Sequence, residues 1–222
     1  LLSSLQGAAI VSVKIEGVDK EFSTIPGVKE DVTDIILNLK SIRVKLLSDH
    51  DETLRLDMSG EGEVTAKDFM DNPNVAILTP DVHIATLNGN ASLSLEVKIS
   101  SGRGYVTADE LKDKDAPIGV IAMDANFNPV QKVAMHISDT RVGQKTDYNR
   151  LELEITTDGS IDPEDALAYA AKLLMDHLEI FINFEGDLES PEELEMDEER
   201  QRIAQLLRTR VEELELSVRS SN

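Results

Sequence analysis

The stretch Gly159–Phe184, GSIDPEDALAYAAKLLMDHLEIFINF, decides how the rest of the chain is read. Asp162 can cap a helix, Pro163 suits its first position, and Glu164 and Asp165 put negative charge where the helix dipole favours it. Behind that start, Ala166, Leu167, Ala170, Leu173, Leu174, His177, Leu178 and Phe181 recur at three- and four-residue spacing, so one broad apolar stripe runs nearly the full length. Such a face needs a partner. It is either the inner face of a helix packed on its own sheet or a face shared with another subunit, and the small residues Ala166, Ala170 and Ala171 keep its first half slim enough for a close helix crossing.

The chain has 222 residues, enough for one large or two modest domains with a real core. No run approaches the roughly 20 apolar residues of a membrane span. No secretory pattern opens the sequence, although it starts on Leu1 and not Met, which weakens any reading of targeting. The lack of cysteine excludes disulfides and thiolate metal sites and fits a cytoplasmic setting. With 22 basic and 43 acidic residues, the formal charge of −21 is the wrong sign for a phosphate-backbone binder, so direct nucleic-acid binding is not expected. Nine of the acids fall in Glu185–Glu199 with no Lys or Arg, which leaves about −12 for the rest.

Taken in order, Leu1–Leu5 reads as the last turn of a helix and Ala8–Ile15 as a strand, followed by a short strand at Lys20–Ser23. Val28–Lys40 is a second helix, with Val28, Val32, Ile35, Ile36 and Leu39 on one face. Its polar face is either solvated surface or a docking surface for another protein. Ile42–Leu47 and Thr53–Met58 alternate and read as a hairpin around Ser48–Glu52. Val75–Thr79, His83–Leu87 and Leu93–Ile99 are short strands; Gly102–Thr107 and Ile118–Ala122 flank a charged loop, Asp109–Asp115. Lys132–Asp139 and Arg150–Thr156 then lead into the opening helix. Beyond it the acidic segment reads as a linker containing a weak helix at Ile203–Leu207, and Val211–Val218 starts a further apolar pattern.

Catalytic chemistry is hard to place. The four histidines are scattered, and the nearest hint of ligand spacing is Asp81 with His83. His177, on the apolar stripe, reads as a core or interface histidine. Ser59-Gly60-Glu61-Gly62-Glu63 lacks a Lys and would present acids to an anion, while Gly102-Arg103-Gly104-Tyr105 lacks the strand–loop–helix setting of a phosphate loop. No nucleophile elbow is present, and carboxylate pairs in so acidic a chain discriminate nothing. Asn90-Ala91-Ser92 matches a glycosylation acceptor that only a secreted protein would use. No cofactor, metal or small-molecule ligand is expected.

Five long stretches, in order, resemble one family: LLSSLQGAAI (Leu1–Ile10), EFSTIPGVKEDVTDIILNLK (Glu21–Lys40), GRGYVTADEL (Gly102–Leu111), DANFNPVQKVAMHISDTRVGQKTDYNRLELEITTDGSIDPEDAL (Asp124–Leu167) and VEELELSVRSSN (Val211–Asn222). The sequence is similar to the alpha subunit of bacterial DNA-directed RNA polymerase. The resemblance implies an α+β fold in which a discontinuous dimerisation domain, residues 1–6 and 132–184 with helices packed on a sheet, carries a mostly β inserted domain, residues 7–131. An acidic linker, 185–210, and the start of a truncated C-terminal domain, 211–222, complete the expected organisation.

The same resemblance implies a non-catalytic assembly scaffold that forms a homodimer and docks the beta and beta-prime subunits. Bond-forming residues and their magnesium would lie in those large subunits. The dimer interface would then comprise Leu1, Leu5, Ala166, Ala170, Leu173, Leu174, His177, Leu178 and Phe181. Leu2, Asp34, Lys40 and Met123 match places implicated in beta docking, and Gln131 and Arg141 match a beta-prime surface. The competing readings are a free-standing acidic α+β enzyme and a ligand-binding β module resting on the glycine loops.

Overall fold

The computed structural model describes residues 1–112, 116–142 and 145–181. The chain divides into two compact units, Leu1–Met175 and Asp176–Asn222, and of the second only residues 176–181, at the end of a helix, are described.

The first unit is built on strand β1, Gln6–Ile15, which pairs antiparallel with β7, Ser92–Arg103, and with β9, Val120–Ala122; β3, Glu52–Ser59, closes the sheet in the order β3-β7-β1-β9. Along β7 the residues Leu93, Leu95, Val97 and Ile99 are buried while Ser94, Glu96, Lys98 and Ser100 alternate on the other face. Helix α1, Val32–Lys40, covers the apolar face with Val32, Ile35, Ile36 and Leu39. Around this core sit two small pairs, β2 (Val44–Leu46) with β5 (Val75–Ile77), and β4 (Gly62–Thr65) with β6 (His83–Leu87).

One residue of β1 breaks the register: the pairing with β7 shifts between Ile10 and Ser12, so Val11 bulges. Its carbonyl accepts from the Met123 N–H at 2.8 Å, and its side chain joins Ala125 and Phe127 in a second cluster while Ile10 stays in the main core. The two-stranded ribbon of β8 (Tyr105–Val106) and β10 (Ala125–Asn126) leads there. Gly7 and Gly102 are register partners, and both must be glycine. A Cβ on Gly7 would stand 2.0 Å from the Phe127 carbonyl oxygen, and one on Gly102 would stand 2.6 Å from the Phe127 ring. The glycines of the Gly102–Tyr105 run thus serve close packing at Gly102 and a left-handed turn at Gly104 (φ +64°).

Beyond the main sheet, β11 (Val130–Val142) and β12 (Lys145–Thr157) form a long ribbon, and α3 (Pro163–Glu179) follows it. Leu5, Val130 and Ala166 are buried together, with Leu1, Val133, Ile155, Ile161 and Leu173 packed around them. The α+β class stands, with strands predominating over helices.

Several expectations are corrected. Leu1–Leu5 is not helical: the backbone bends at Ser3 and Ser4, and the segment is held by the burial of Leu5 beside Val130 and Ala166. Lys20–Ser23 forms no strand; beyond it Thr24 makes an isolated bridge to Asp31 and Val28 one to Leu87. Helix α1 begins four residues later than its apolar pattern, because the Asp31 carboxylate accepts from the Asp34 N–H at 2.8 Å and caps it there. Ile42–Leu47 and Thr53–Met58 are no hairpin; their strands β2 and β3 pair with β5 and β7 in different sheets. The first part of the charged loop is a short helix, α2 (Ala108–Leu111), while residues 113–115 and the linker, its weak helix and the 211–222 segment lie outside the described residues.

Ile35 is fully buried on α1 and Leu37 is 55% exposed on the opposite side. Ile35→Ala should therefore cost about 2–5 kcal/mol and Leu37→Ala less than about 0.5 kcal/mol, as measured by urea unfolding.

Candidate interaction surfaces

Residues far apart in sequence meet beside the β8–β10 ribbon. Asn128 Nδ2 donates to the Leu2 carbonyl at 3.0 Å and to the Val130 carbonyl at 2.7 Å, fixing the lead-in against the end of the sheet. Tyr105 pairs with Asn126 in that ribbon and is 64% exposed. Next to it the Asp124 carboxylate accepts from Lys40 Nζ at 3.0 Å and from the Ala108 N–H at 2.9 Å. The Ala108 N–H and then Lys40 hold the Asp124 carboxyl below its ordinary range, with a smaller pull from the Tyr105 hydroxyl. A small hollow of about 160 Å³ lies among Leu39, Lys40, Arg43, Tyr105 and Asp124.

Of the four residues matched to beta docking, Leu2 is exposed and Lys40 about a third exposed at this strip. Met123 is only 1% exposed and belongs to the main core, so its side chain offers a partner no contact. Asp34 stands apart from Lys40: six residues on a helix separate them by about 9 Å along the axis and about 240° around it. Tyr105 and Asp124 were not singled out from sequence. An aromatic directly after Gly104 was the available signal for Tyr105, and nothing local pointed to Asp124.

A second surface runs along the ribbon and α3. Val133, Met135 and Ile137 face Ile155, Leu153 and Leu151 across β11 and β12, so one face of the ribbon is apolar over these three pairs before it turns polar at Asp139 and Asn149. Its base packs on Leu5 and Ala166, whereas Met135, Ile137, Leu151 and Leu153 are 40–65% exposed. The helix divides likewise. Ala166 is buried and Ala170 and Leu173 are half-buried, while Leu167, Leu174, Leu178 and Phe181 are exposed, the last at 80%. His177 is exposed on the same helix, and Gln131 and Arg141 are exposed on β11. One flank of the stripe is therefore satisfied within the chain, and the other is left open.

A third cluster is purely polar. His83 on β6 bonds Glu63 of β4 through Nδ1 at 2.9 Å and Glu30 through Nε2 at 3.0 Å, and Glu30 also accepts from the Thr86 N–H at 2.6 Å and the Thr86 hydroxyl at 3.0 Å. The Glu30 contact, assisted by Glu63, raises the His83 pKa. Partial burial works against Glu30, but the Thr86 N–H and His83 bonds outweigh it and hold its carboxyl below the usual value. These bonds tie the segment before α1 to the β4–β6 pair. Among the described residues no three His, Asp or Glu side chains are placed to hold a metal ion. A hollow of about 810 Å³ over the polar face of the main sheet is lined by Lys14, Lys98 and Lys112 against Asp51, Glu96 and Asp109, a mixed set that favours neither sign of ligand. No helix of the described residues is long and apolar enough to cross a membrane.

A main sheet backed by one helix, with an open ribbon-and-helix extension, defines an interaction module. Residues 13–128 match the family model described as the RNA polymerase Rpb3/RpoA insert domain. All 222 residues align with proteins named DNA-directed RNA polymerase subunit alpha: 53% identical in Geobacter metallireducens, 50% in Alkaliphilus metalliredigens and 52% in Symbiobacterium thermophilum. The chain spans 65%, 70% and 70% of those relatives' lengths. It belongs to the bacterial DNA-directed RNA polymerase alpha-subunit family, and the readings as a free-standing enzyme or ligand-binding module have no support.

The His83 cluster sets a pH dependence. A raised histidine pKa contributes stability that is complete below 6.5 and is lost as pH rises through the folded value; the lowered Glu30 contributes above 4.5 and loses its share as pH falls through its own folded value. The thermal midpoint should therefore fall further for His83→Gln at pH 6 than at pH 8.5, measured by circular dichroism. Equal losses at both would show that the charged form contributes nothing.

Proposed function

We propose that this chain is a non-catalytic assembly scaffold of bacterial RNA polymerase, pairing with a second copy of itself and docking the beta and beta-prime subunits in the cytoplasm. The observation that carries the reading is the open apolar flank of α3 beside the half-exposed ribbon. Large exposed apolar surface of this kind marks an interface, and a paired two-stranded ribbon has little stability of its own. Leu174, Leu178 and Phe181, with His177, form the flank that meets the second copy. Ala166, Ala170, Leu173, Leu1 and Leu5 form its inner support.

In this reading the discontinuous segments 1–6 and 132–184 make the dimerising part and 7–131 the insert. Beta docking falls on the strip of Leu2 and Lys40, with Met123 acting from beneath by placing its neighbour Asp124, and with Asp34 as a separate steering charge. Beta-prime docking falls on Gln131 and Arg141. A symmetric pair meets two different large subunits because identical chains become inequivalent only on assembly. Chemistry and its metal belong to those subunits, so this chain needs no catalytic set of its own.

Leu174→Asp should convert the dimer to monomer, because a charge in the buried flank is left without a partner; an intact dimer in analytical ultracentrifugation would contradict the pairing. Leu2→Asp should leave the dimer mass unchanged and abolish capture of the beta subunit. Asp34→Ala combined with Lys40→Ala should also leave the dimer intact and weaken beta capture about tenfold or more, and unchanged pull-down would remove that surface from the account.

A further inference from the structure

We infer that Asp124 is a positioning residue for beta docking, and that Lys40 acts through it by presetting the strip and not by reaching a partner carboxylate. The inference rests on the docking reading above. One carboxylate joins three segments distant in sequence: the last residue of α1 through Lys40 Nζ (3.0 Å), the first residue of α2 through the Ala108 N–H (2.9 Å), and its own place at the entry to β10. Lys40 and Asp124 lie 84 positions apart. The exposed Tyr105 of β8, paired with β10, stands against this junction, and both its ribbon and the start of α2 are held by the same group.

Magnitude separates the two roles. The pair is about a third exposed on each side, and such surface ion pairs contribute little to stability. What the pair does supply is order. A Lys side chain that arrives already fixed, beside an aromatic already fixed, spares the complex the cost of immobilising both, and that saving appears as affinity. A Lys committed to Asp124 is also a weaker long-range attractor than a free cation, so direct steering by Lys40 is the poorer account of its place in the strip.

The test measures binding of purified beta subunit to the full-length alpha chain carrying Lys40→Gln, Asp124→Asn or both. Asn at 124 keeps an oxygen for the Ala108 N–H and replaces the one that accepts from Lys40 with an NH2 donor, so it removes the charge and the Lys40 bond together. Each single change should weaken binding about tenfold, and the double no more than either alone, since both break one unit; Lys40→Arg should bind within about twofold of wild type. Thermal midpoints and dimer mass should not move. Asp124→Asn binding as wild type or tighter while Lys40→Gln is weakened would show Lys40 contacting the partner directly and overturn the inference, as would losses that multiply in the double variant.

A second readout needs no change at Asp124. Lys40→Gln should speed amide exchange at Ala108 in the free chain, because the acceptor of that N–H loses its anchor; unchanged exchange would overturn the inference. A wild-type chain that captured no beta subunit would overturn the docking reading and this inference with it. A wild-type chain that bound, but with the wrong variant pattern, would sink only the inference.

Discussion

The constraint on which the structure depends is an imbalance of apolar surface. The main sheet and α1 bury a full core from Val13 and Ile15 through Ile35 and Leu39 to Leu95, Val97 and Ile99. Among the described residues, the ribbon and α3 bury only Val130 and Ala166 of their own, together with Leu5. At about 25 cal/mol per Å² of apolar area, covering four or five half-exposed Leu, Ile, Met and Phe side chains outweighs the loss of their rotamer freedom. The first part of the molecule can therefore stand as a platform, while the second leaves apolar side chains open.

The two parts are joined by close packing at the end of the sheet. Phe127 sits where Gly7 and Gly102 leave room, Val11 bulges to meet it, and Asn128 holds the Leu2 carbonyl just beyond. A side chain at Gly7 would have to move the Phe127 backbone, and one at Gly102 would have to displace the Phe127 ring. The strip at Leu2, Tyr105 and Lys40 lies on this junction, so the same packing that ends the insert also shapes a surface. Under the scaffold reading proposed above, that packing is what presents the docking contacts.

Elements whose partners lie close in sequence were legible before any coordinates. The face of α1, strand β6 and the two separate strands that make the ribbon follow from local periodicity, and the apolar stripe of α3 was plain from spacing alone. Long-range pairing was not legible. Ile42–Leu47 and Thr53–Met58 looked like a hairpin because they are neighbours in the chain, yet each finds a better partner across the fold. The site divides the same way. Residues matched through the family resemblance were named in advance, but the burial of Met123 and the Lys40–Asp124 junction depend on tertiary packing across 84 residues, which no local pattern encodes. The glycine run at Gly102 shows the reverse case, a pattern that suggests a ligand loop and is explained by a phenylalanine ring.

The most direct test of the scaffold reading uses the absence of cysteine from the sequence. Single cysteines placed at Leu174, Leu178 and Phe181, and at Lys20 as a control, would be oxidised mildly in the full-length chain and resolved by mass. Covalent pairs from one or more of the helix positions and none from the control are the predicted result, because two copies of α3 lie against each other. No pair from any helix position, with the chain sedimenting as a monomer, would contradict the account.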